Sequence, residues 1–338
     1  MNSEATVVKN AGSNYLLAHL PEWDPFPAVL RGRIRLKGSG ITNPVAVGDR
    51  VRYSIDEKDG KAVIDEILPR KNYVIRRSTN LSRQAHIIAA NVDMAYLVVS
   101  LYFPEIKLPF LDRMLVTCEV YGIPVTIVLA KTDMYRDIAA ESIDAFHNIY
   151  EGAGYKVVDT SAMTGEGIDS IREACKGRIN LFSGESGVGK SSLIKALDPS
   201  LNPKTGEISE AHLQGKHTTS LYEMYPLGAS SGVGQDFFDH FSGEKVLVRE
   251  GKKAPLQPYG FVIDSPGLRG FGLVDLEKEE IAKYFPEMLK ASHGCRFTPC
   301  THTHEPGCAV KAAVEQGTIS PERYSSYLGM LEEDRKFR

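Results

Sequence analysis

A chain of 338 residues is long enough for two or three domains. Its 42% hydrophobic and 25% charged residues are ordinary for a globular chain. No apolar run reaches the roughly 18 residues of a membrane span, and the opening MNSEATVVKN lacks the basic-then-apolar pattern of a secretory signal.

The net charge of −3 argues against a uniformly basic nucleic-acid binder, but the charge is uneven. Residues 26–77 hold twelve Lys or Arg against six Asp or Glu, a surplus of +6 that leaves −9 for the rest. Such a segment is the form a local footprint on a polyanion takes, although a solvated basic face needs no partner. Residues 1–72 read as β, with loose alternation at 29–36, 49–55 and 61–68 and turns at 38–40, 47–49 and 58–60. Short strands at this spacing predict a small barrel of the oligonucleotide-binding (OB) type. Arg31, Arg33 and Arg35 recur at period two, which would place them on one strand face.

From about Val74 the pattern changes to strands alternating with helices, which predicts a parallel sheet covered on both faces. Strands are expected at 92–101, 124–130, 155–160 and 178–183. Between them, Pro109 opens one helix carrying Leu111, Met114, Leu115 and Cys118 on its inner face. A second turns Ile143, Phe146 and Tyr150 inward, and a third lies near 168–175.

After the strand at 178–183 the chain reads Gly184, Glu185, Ser186, Gly187, Val188, Gly189, Lys190, Ser191, the spacing of a phosphate-binding loop. Ser192 continues into a helix with Leu193 and Leu197 inward. Glycines allow successive backbone N–H groups and a helix N-terminus to face a phosphate. Lys190 is placed to reach the β- and γ-phosphates and the Ser191 hydroxyl to ligate Mg2+. Asp264, after the apolar 261–263, ends a strand where a carboxylate can hold that Mg2+ through water, and Gly267 offers a backbone N–H to the γ-phosphate.

Ala130, Lys131, Thr132 and Asp133 end the strand at 124–130 and resemble the guanine-recognition motif of GTPases, Asn-Lys-x-Asp, with alanine in the first place. A carboxylate at Asp133 accepts two hydrogen bonds from guanine and finds no matching donors on adenine. Ser161 and Ala162 resemble the companion motif whose backbone meets the guanine carbonyl. Loss of the asparagine at Ala130 removes a brace between base loop and phosphate loop. An ATP-using P-loop enzyme is the rival reading, and it leaves Asp133 unexplained.

Near the C-terminus Cys295, Cys300, His302 and Cys308 supply three thiolates and an imidazole, the donor set of a closed, structural Zn2+ site. His293 and His304 are alternative ligands or neighbours. Cys118 and Cys175 fall on apolar helix faces and are expected in the core, and 309–338 reads as helical with a break before Ser320 and Pro321.

In ordinary GTPases the phosphate loop comes first. Here Asp133 and Ser161 precede Gly184 and Asp264 comes last, so the motif order is circularly permuted. With the P-loop, the segment 215–219 (GKHTT), the segment 264–269 (DSPGLR) and the Cys-His pattern, the chain resembles the RsgA (YjeQ, YloQ) GTPases along most of its length. That resemblance implies a circularly permuted α/β P-loop GTPase core at 73–284, an N-terminal OB-type β-barrel at 1–72, and a C-terminal zinc-binding helical domain at 285–338. It implies a cytoplasmic, monomeric factor in late maturation of the small (30S) ribosomal subunit, binding 16S-type rRNA and GTP or GDP, with hydrolysis stimulated by the subunit. By the same resemblance Thr219, or Thr218, closes onto Mg2+. Leu268 stands where many GTPases carry a water-orienting glutamine, and His217 is the nearest polar replacement, unless it is merely exposed. Leu268 and Ala130 also suit a nucleotide-dependent RNA-binding scaffold with little hydrolysis. The stretch from Thr219 to Asp264 is longer than the resemblance leads one to expect.

Overall fold

A computed structural model describes residues 3–12, 14–31, 44–57, 60–77, 85–201, 223–228, 258–264 and 276–336. Its first five strands are β1 (Ser3–Ala11), β2 (Asn14–Ala18), β3 (Phe26–Leu30), β4 (Arg50–Ile55) and β5 (Ala62–Ile67). They run in the order β1-β2-β3-β5-β4, and β4 pairs back onto β1, which closes a five-stranded barrel. Arg-Val-Arg-Tyr in β4 alternates exposed or half-buried with buried positions, and the buried set packs with Val7, Leu17, Ala28 and Ile64 in one core. The strand expected at 29–36 lies earlier, over β3. Arg31 follows that strand and pairs with Asp65 at 2.7 Å, while Arg33 and Arg35 lie outside the described residues. A short hairpin, β6 (Tyr73–Arg77) with β7 (Ala85–Ala90), connects onward.

The second part of the sheet contains β8 (Met94–Val99), β9 (Val125–Ala130), β10 (Lys156–Thr160), β11 (Ile179–Ser183), β12 (Glu223–Leu227) and β13 (Gly260–Asp264). Their order is β10-β9-β8-β11-β13-β12, parallel except for β12, which runs antiparallel to β13. Helices cover both faces, as continuous apolar strands require. On one face, α1 (Leu108–Val120) and α2 (Ala140–Gly152) pack Leu111, Met114, Ile143, Phe146 and Tyr150 against Leu97, Ile127 and Leu129. On the other, α3 (Ile168–Ala174) and α4 (Lys190–Leu197) pack Ile171, Leu193 and Leu197 against Val98, Val128 and Phe182. Cys118 and Cys175 are buried in these layers. Among the described residues one registered pair, Lys9 of β1 with Glu223 of β12, joins barrel and sheet into eleven strands.

The C-terminal region holds α5 (Lys278–Ile281), α6 (Pro286–Ser292), α7 (Ala309–Glu315) and α8 (Pro321–Lys336). Its apolar cluster includes Val116 of α1, so the region packs on the sheet's helical layer. Arg323 of α8 is 1% exposed there. It donates to Asp112 of α1 at 2.7 Å and to Glu287 of α6 at 2.8 and 3.2 Å.

Candidate nucleotide site and metal centre

The phosphate loop links β11, between β8 and β13 in mid-sheet, to the N-terminus of α4. Three glycines are required in it. A Cβ on Gly184 would lie 2.3 Å from the carbonyl oxygen of Val98, and Gly187 at φ +83° and Gly189, which caps α4 at φ +102°, hold conformations where an L side chain is strained. Val188 is buried between them and anchors the loop to the core, whereas Ser186 and Gly187 are exposed and Glu185 is half-buried. Lys190 and Ser191 are the first two residues of α4, so both lie at the positive end of the helix. Ser192 follows on the exposed side.

Lys190 Nζ lies 3.1 Å from Oδ1 of Asp264, at the C-terminal end of β13, with the two side chains 10% and 13% exposed. Among the described residues, the buried Asp264 Oδ1 has no hydrogen-bond partner in addition to this ion pair. A buried acceptor beside a P-loop serine and lysine fits a Mg2+-bound water. Gly267, Leu268, Thr218, Thr219 and His217 lie outside the described residues.

The base loop leaves β9 two strands away from the phosphate loop. Lys131 adopts φ 62°, which turns the chain out of the strand, and Thr132, Asp133 and Met134 form one 3-10 turn that leaves Asp133 exposed. Lys131 Nζ donates to the carbonyl of Gly187 at 2.6 Å and to that of Phe103 at 2.7 Å. This cation therefore ties base loop to phosphate loop. The Thr132 hydroxyl has a single proton to share between the carbonyl of Thr160 at 3.1 Å and Glu166 at 2.9 Å, and Arg136 pairs with Asp159 and Glu166. The loop after β10, with Ser161 buried and Ala162 exposed, is thereby fixed beside Asp133, and Ser161 Oγ accepts from the N–H groups of Met163 and Thr164 at 3.2 and 3.1 Å.

Ala130 is 4% exposed, and its carbonyl accepts from the buried Tyr135 hydroxyl at 2.7 Å. Sequence reasoning overlooked Tyr135, Glu166 and Arg136; the first reads as a core aromatic, and the other two as surface charges. Their pairing joins loops about thirty residues apart, for which no local pattern exists.

Cys295, Cys300, His302 and Cys308 place their ligand atoms within 4.8 Å of one another. Cys295 Sγ is 3.6 Å from His302 Nδ1 and 4.0 Å from Cys308 Sγ, and His302 Nδ1 is 3.4 Å from Cys308 Sγ. Tetrahedral Zn2+ with bonds of about 2.0–2.3 Å demands ligand separations of about 3.5–3.8 Å, so the spacing fits. Burial, and to a lesser degree the neighbouring thiols, push the Cys300 thiol up to about 12, and a bound cation would displace that proton. Nδ1 of His302 is the inward atom. The surrounding loop is held by Tyr324 and Tyr327 hydroxyls, which donate to the carbonyls of His302 and Thr301 at 2.6 Å each. Cys308 Sγ also accepts from Lys311 N at 3.5 Å and so caps α7. His293 and His304 are not in the cluster.

The RsgA GTPase family matches residues 67–235. A Bacteroides fragilis protein described as small ribosomal subunit biogenesis GTPase RsgA is 46% identical over 334 residues, 98% of each chain. One of the same description from Porphyromonas gingivalis is 41% identical over 336 residues, 99% of this chain and 98% of that one. The extra length expected between Thr219 and Asp264 falls mostly outside the described residues, of which only 223–228 and 258–264 lie in that stretch. YjeQ from Thermotoga maritima superposes with a TM-score of 0.73 at 30% identity, covering 98% of both chains. YloQ, a circularly permuted GTPase, superposes with a TM-score of 0.68 at 26% identity, covering 100% of this chain and 96% of that one. With its base loop ahead of its phosphate loop and Asp264 behind both, the chain belongs to the RsgA family of circularly permuted GTPases.

Proposed function

We propose that this GTP hydrolase acts on the small ribosomal subunit in its late maturation, as a cytoplasmic monomer whose turnover the subunit stimulates. The observation that carries the reading is the assembly, from three distant stretches, of a base loop, a phosphate loop and the aspartate Asp264, the first two tied by the Lys131 ammonium and the last two by that of Lys190. Among the described residues no helix is long and apolar enough to cross a membrane. The basic barrel, 1–72, contacts 16S-type rRNA through phosphate neutralisation; the core, 73–284, reads the nucleotide; the region 285–338 carries one structural Zn2+.

In this reading residues 184–192 enclose the phosphates, and Lys131, Thr132, Asp133, Ser161 and Ala162 enclose the guanine. Lys190 neutralises charge on the β- and γ-phosphates. Ser191 and Thr219 would ligate Mg2+, Asp264 would hold it through water, and the Gly267 N–H would meet the γ-phosphate. When bound, Mg2+ would supply charge neutralisation to the phosphates. His217 orients the attacking water, because Leu268 has no group that can do so.

Competition of GTP, GDP and ATP for a fluorescent guanine nucleotide tests the site. Displacement by GTP and GDP with ATP at least about a hundredfold weaker is expected. Equal displacement by ATP would remove the assignment of Asp133.

A further inference from the structure

The seam between barrel and GTPase sheet carries a row of charges that the nucleotide site does not itself account for. Lys9 of β1 is registered opposite Glu223 of β12, and Glu223 is registered opposite Asp264 of β13. Directly opposed residues on neighbouring strands share a face. Lys9 and Glu223 are 4% and 8% exposed, and Lys9 Nζ lies 3.2 Å from Glu223 Oε1. The Tyr225 hydroxyl donates to the other carboxylate oxygen, Oε2, at 3.4 Å. Asp264 in turn pairs with Lys190 of the phosphate loop. The row therefore reads cation, anion, anion, cation, from the barrel to the phosphates.

Two carboxylates on adjacent strands, about 5 Å apart along the sheet, raise each other's cost of ionisation unless each has a cation. Lys190 serves Asp264, and Lys9 serves Glu223. Strand β1 contributes Lys9 from the barrel, where it also pairs with β2 and β4.

We propose that Lys9 is a positioning residue for the nucleotide site, neutralising Glu223 so that the barrel sets the charge beside the Mg2+-side carboxylate Asp264. The inference rests on the reading of Asp264 as the carboxylate that holds Mg2+ through water. Its electrostatic consequence has a sign. At a pH high enough to keep Glu223 ionised, which is where the titration is run, removing the Lys9 charge makes the metal side more negative and favours Mg2+. Removing the Glu223 charge makes it more positive and disfavours Mg2+. A purely structural role for the pair would weaken the site in both cases.

The experiment titrates Mg2+ against the full-length chain and a fluorescent non-hydrolysable GTP analogue, reading the Mg2+ concentration at half-maximal binding. At separations of about 5–10 Å in a partly shielded sheet, each charge is expected to move that midpoint about threefold to tenfold. Lys9→Met lowers it, Glu223→Gln raises it, and Lys9→Arg leaves it near wild type. The double variant Lys9→Met with Glu223→Leu replaces the buried pair by apolar groups, which keeps the seam packed, and its midpoint returns to near wild type.

Midpoints of both single variants moving the same way, or not at all, overturn the proposal. If the single variants do not fold, a double-variant midpoint displaced tenfold overturns it and one near wild type upholds it. Asp264→Asn tests the underlying reading separately, because it must raise the midpoint. Should it not, the Mg2+ role of Asp264 fails. The row is then read without Mg2+, where Lys9→Met must weaken analogue binding and Glu223→Gln must tighten it; absence of that opposition overturns the proposal.

Discussion

Replacing Arg323 by methionine removes the cation from a site where its partners have little access to water. Its guanidinium and the Asp112 side chain are each 1% exposed, and Glu287 is 6% exposed. The guanidinium also lies 4.5 Å from the centre of the Phe285 ring. Methionine fills much of the volume but leaves two carboxylates buried against an apolar cluster. Breaking a buried pair by removing one partner costs about 3–5 kcal/mol, against a total stability of about 5–15 kcal/mol for a typical protein.

The loss is therefore large enough to uncouple the C-terminal helices from α1. Urea unfolding followed by tryptophan fluorescence is unsuited, because the single tryptophan, Trp23, packs on Phe261 in the sheet. Hydrogen exchange of α1, α6 and α8 together with circular dichroism reads the right elements. Arg323→Met should raise exchange in all three, with a loss of about 3 kcal/mol or more. Adding Asp112→Asn and Glu287→Gln should recover part of it, since neutral amides cost less to bury. A loss below about 1 kcal/mol would refute the reasoning, because it would mean that water or another cation reaches the carboxylates.

Asp133→Asn turns a guanine acceptor into a donor and should weaken GTP binding by about 1.5–3 kcal/mol, measured by nucleotide titration, with xanthine nucleotides weakened less. Cys308→Ser, or a strong chelator, should release one equivalent of zinc by metal analysis and unfold α7 and its loop, since Cys308 both faces the metal cluster and caps the helix; retention of α7 exchange protection would contradict this. His147 gives a pH dependence. Burial opposes its charge, but hydrogen bonds and charges from Asp159 and Glu151 outweigh that and hold its pKa above the usual 6.5. A raised folded pKa contributes stability below about 6.5 that is lost as pH rises through the folded value. Thermal midpoints of wild type should therefore fall relative to His147→Gln between about pH 6 and pH 8, and parallel curves would exclude the effect.

Where neighbouring residues decide the structure, the sequence was readable. The apolar runs and helical spacings from 92 to 183 predict β8 to β11 and their helices nearly to the residue, and the phosphate loop and Cys-His spacing announce their own chemistry. β1 and β2 went unrecognised for definite reasons. β1 changes register between Val7 and Lys9, which breaks its period of two, and β2 buries four consecutive residues. The hairpin of β6 and β7 is short and ends in two arginines, Arg76 and Arg77, so its apolar signal is brief. The contacts that join the parts are the least legible. Lys9 meets Glu223 across 214 residues and Arg323 meets Asp112 across 211. Pairings of this range are fixed by the finished packing and leave no trace in local spacing. The same applies to Lys131, whose motif role was visible while its second contact, the Phe103 carbonyl, was not.

The central claim is that this nucleotide site turns over in response to the small ribosomal subunit. Single-turnover and steady-state GTP hydrolysis by the full-length chain, with and without purified small subunits, tests it most directly. The account predicts slow intrinsic turnover, as Leu268 in place of a water-orienting residue requires, and a rise of at least about tenfold when subunits are added. Equal rates with and without subunits, or bound GTP that is never hydrolysed, would contradict it.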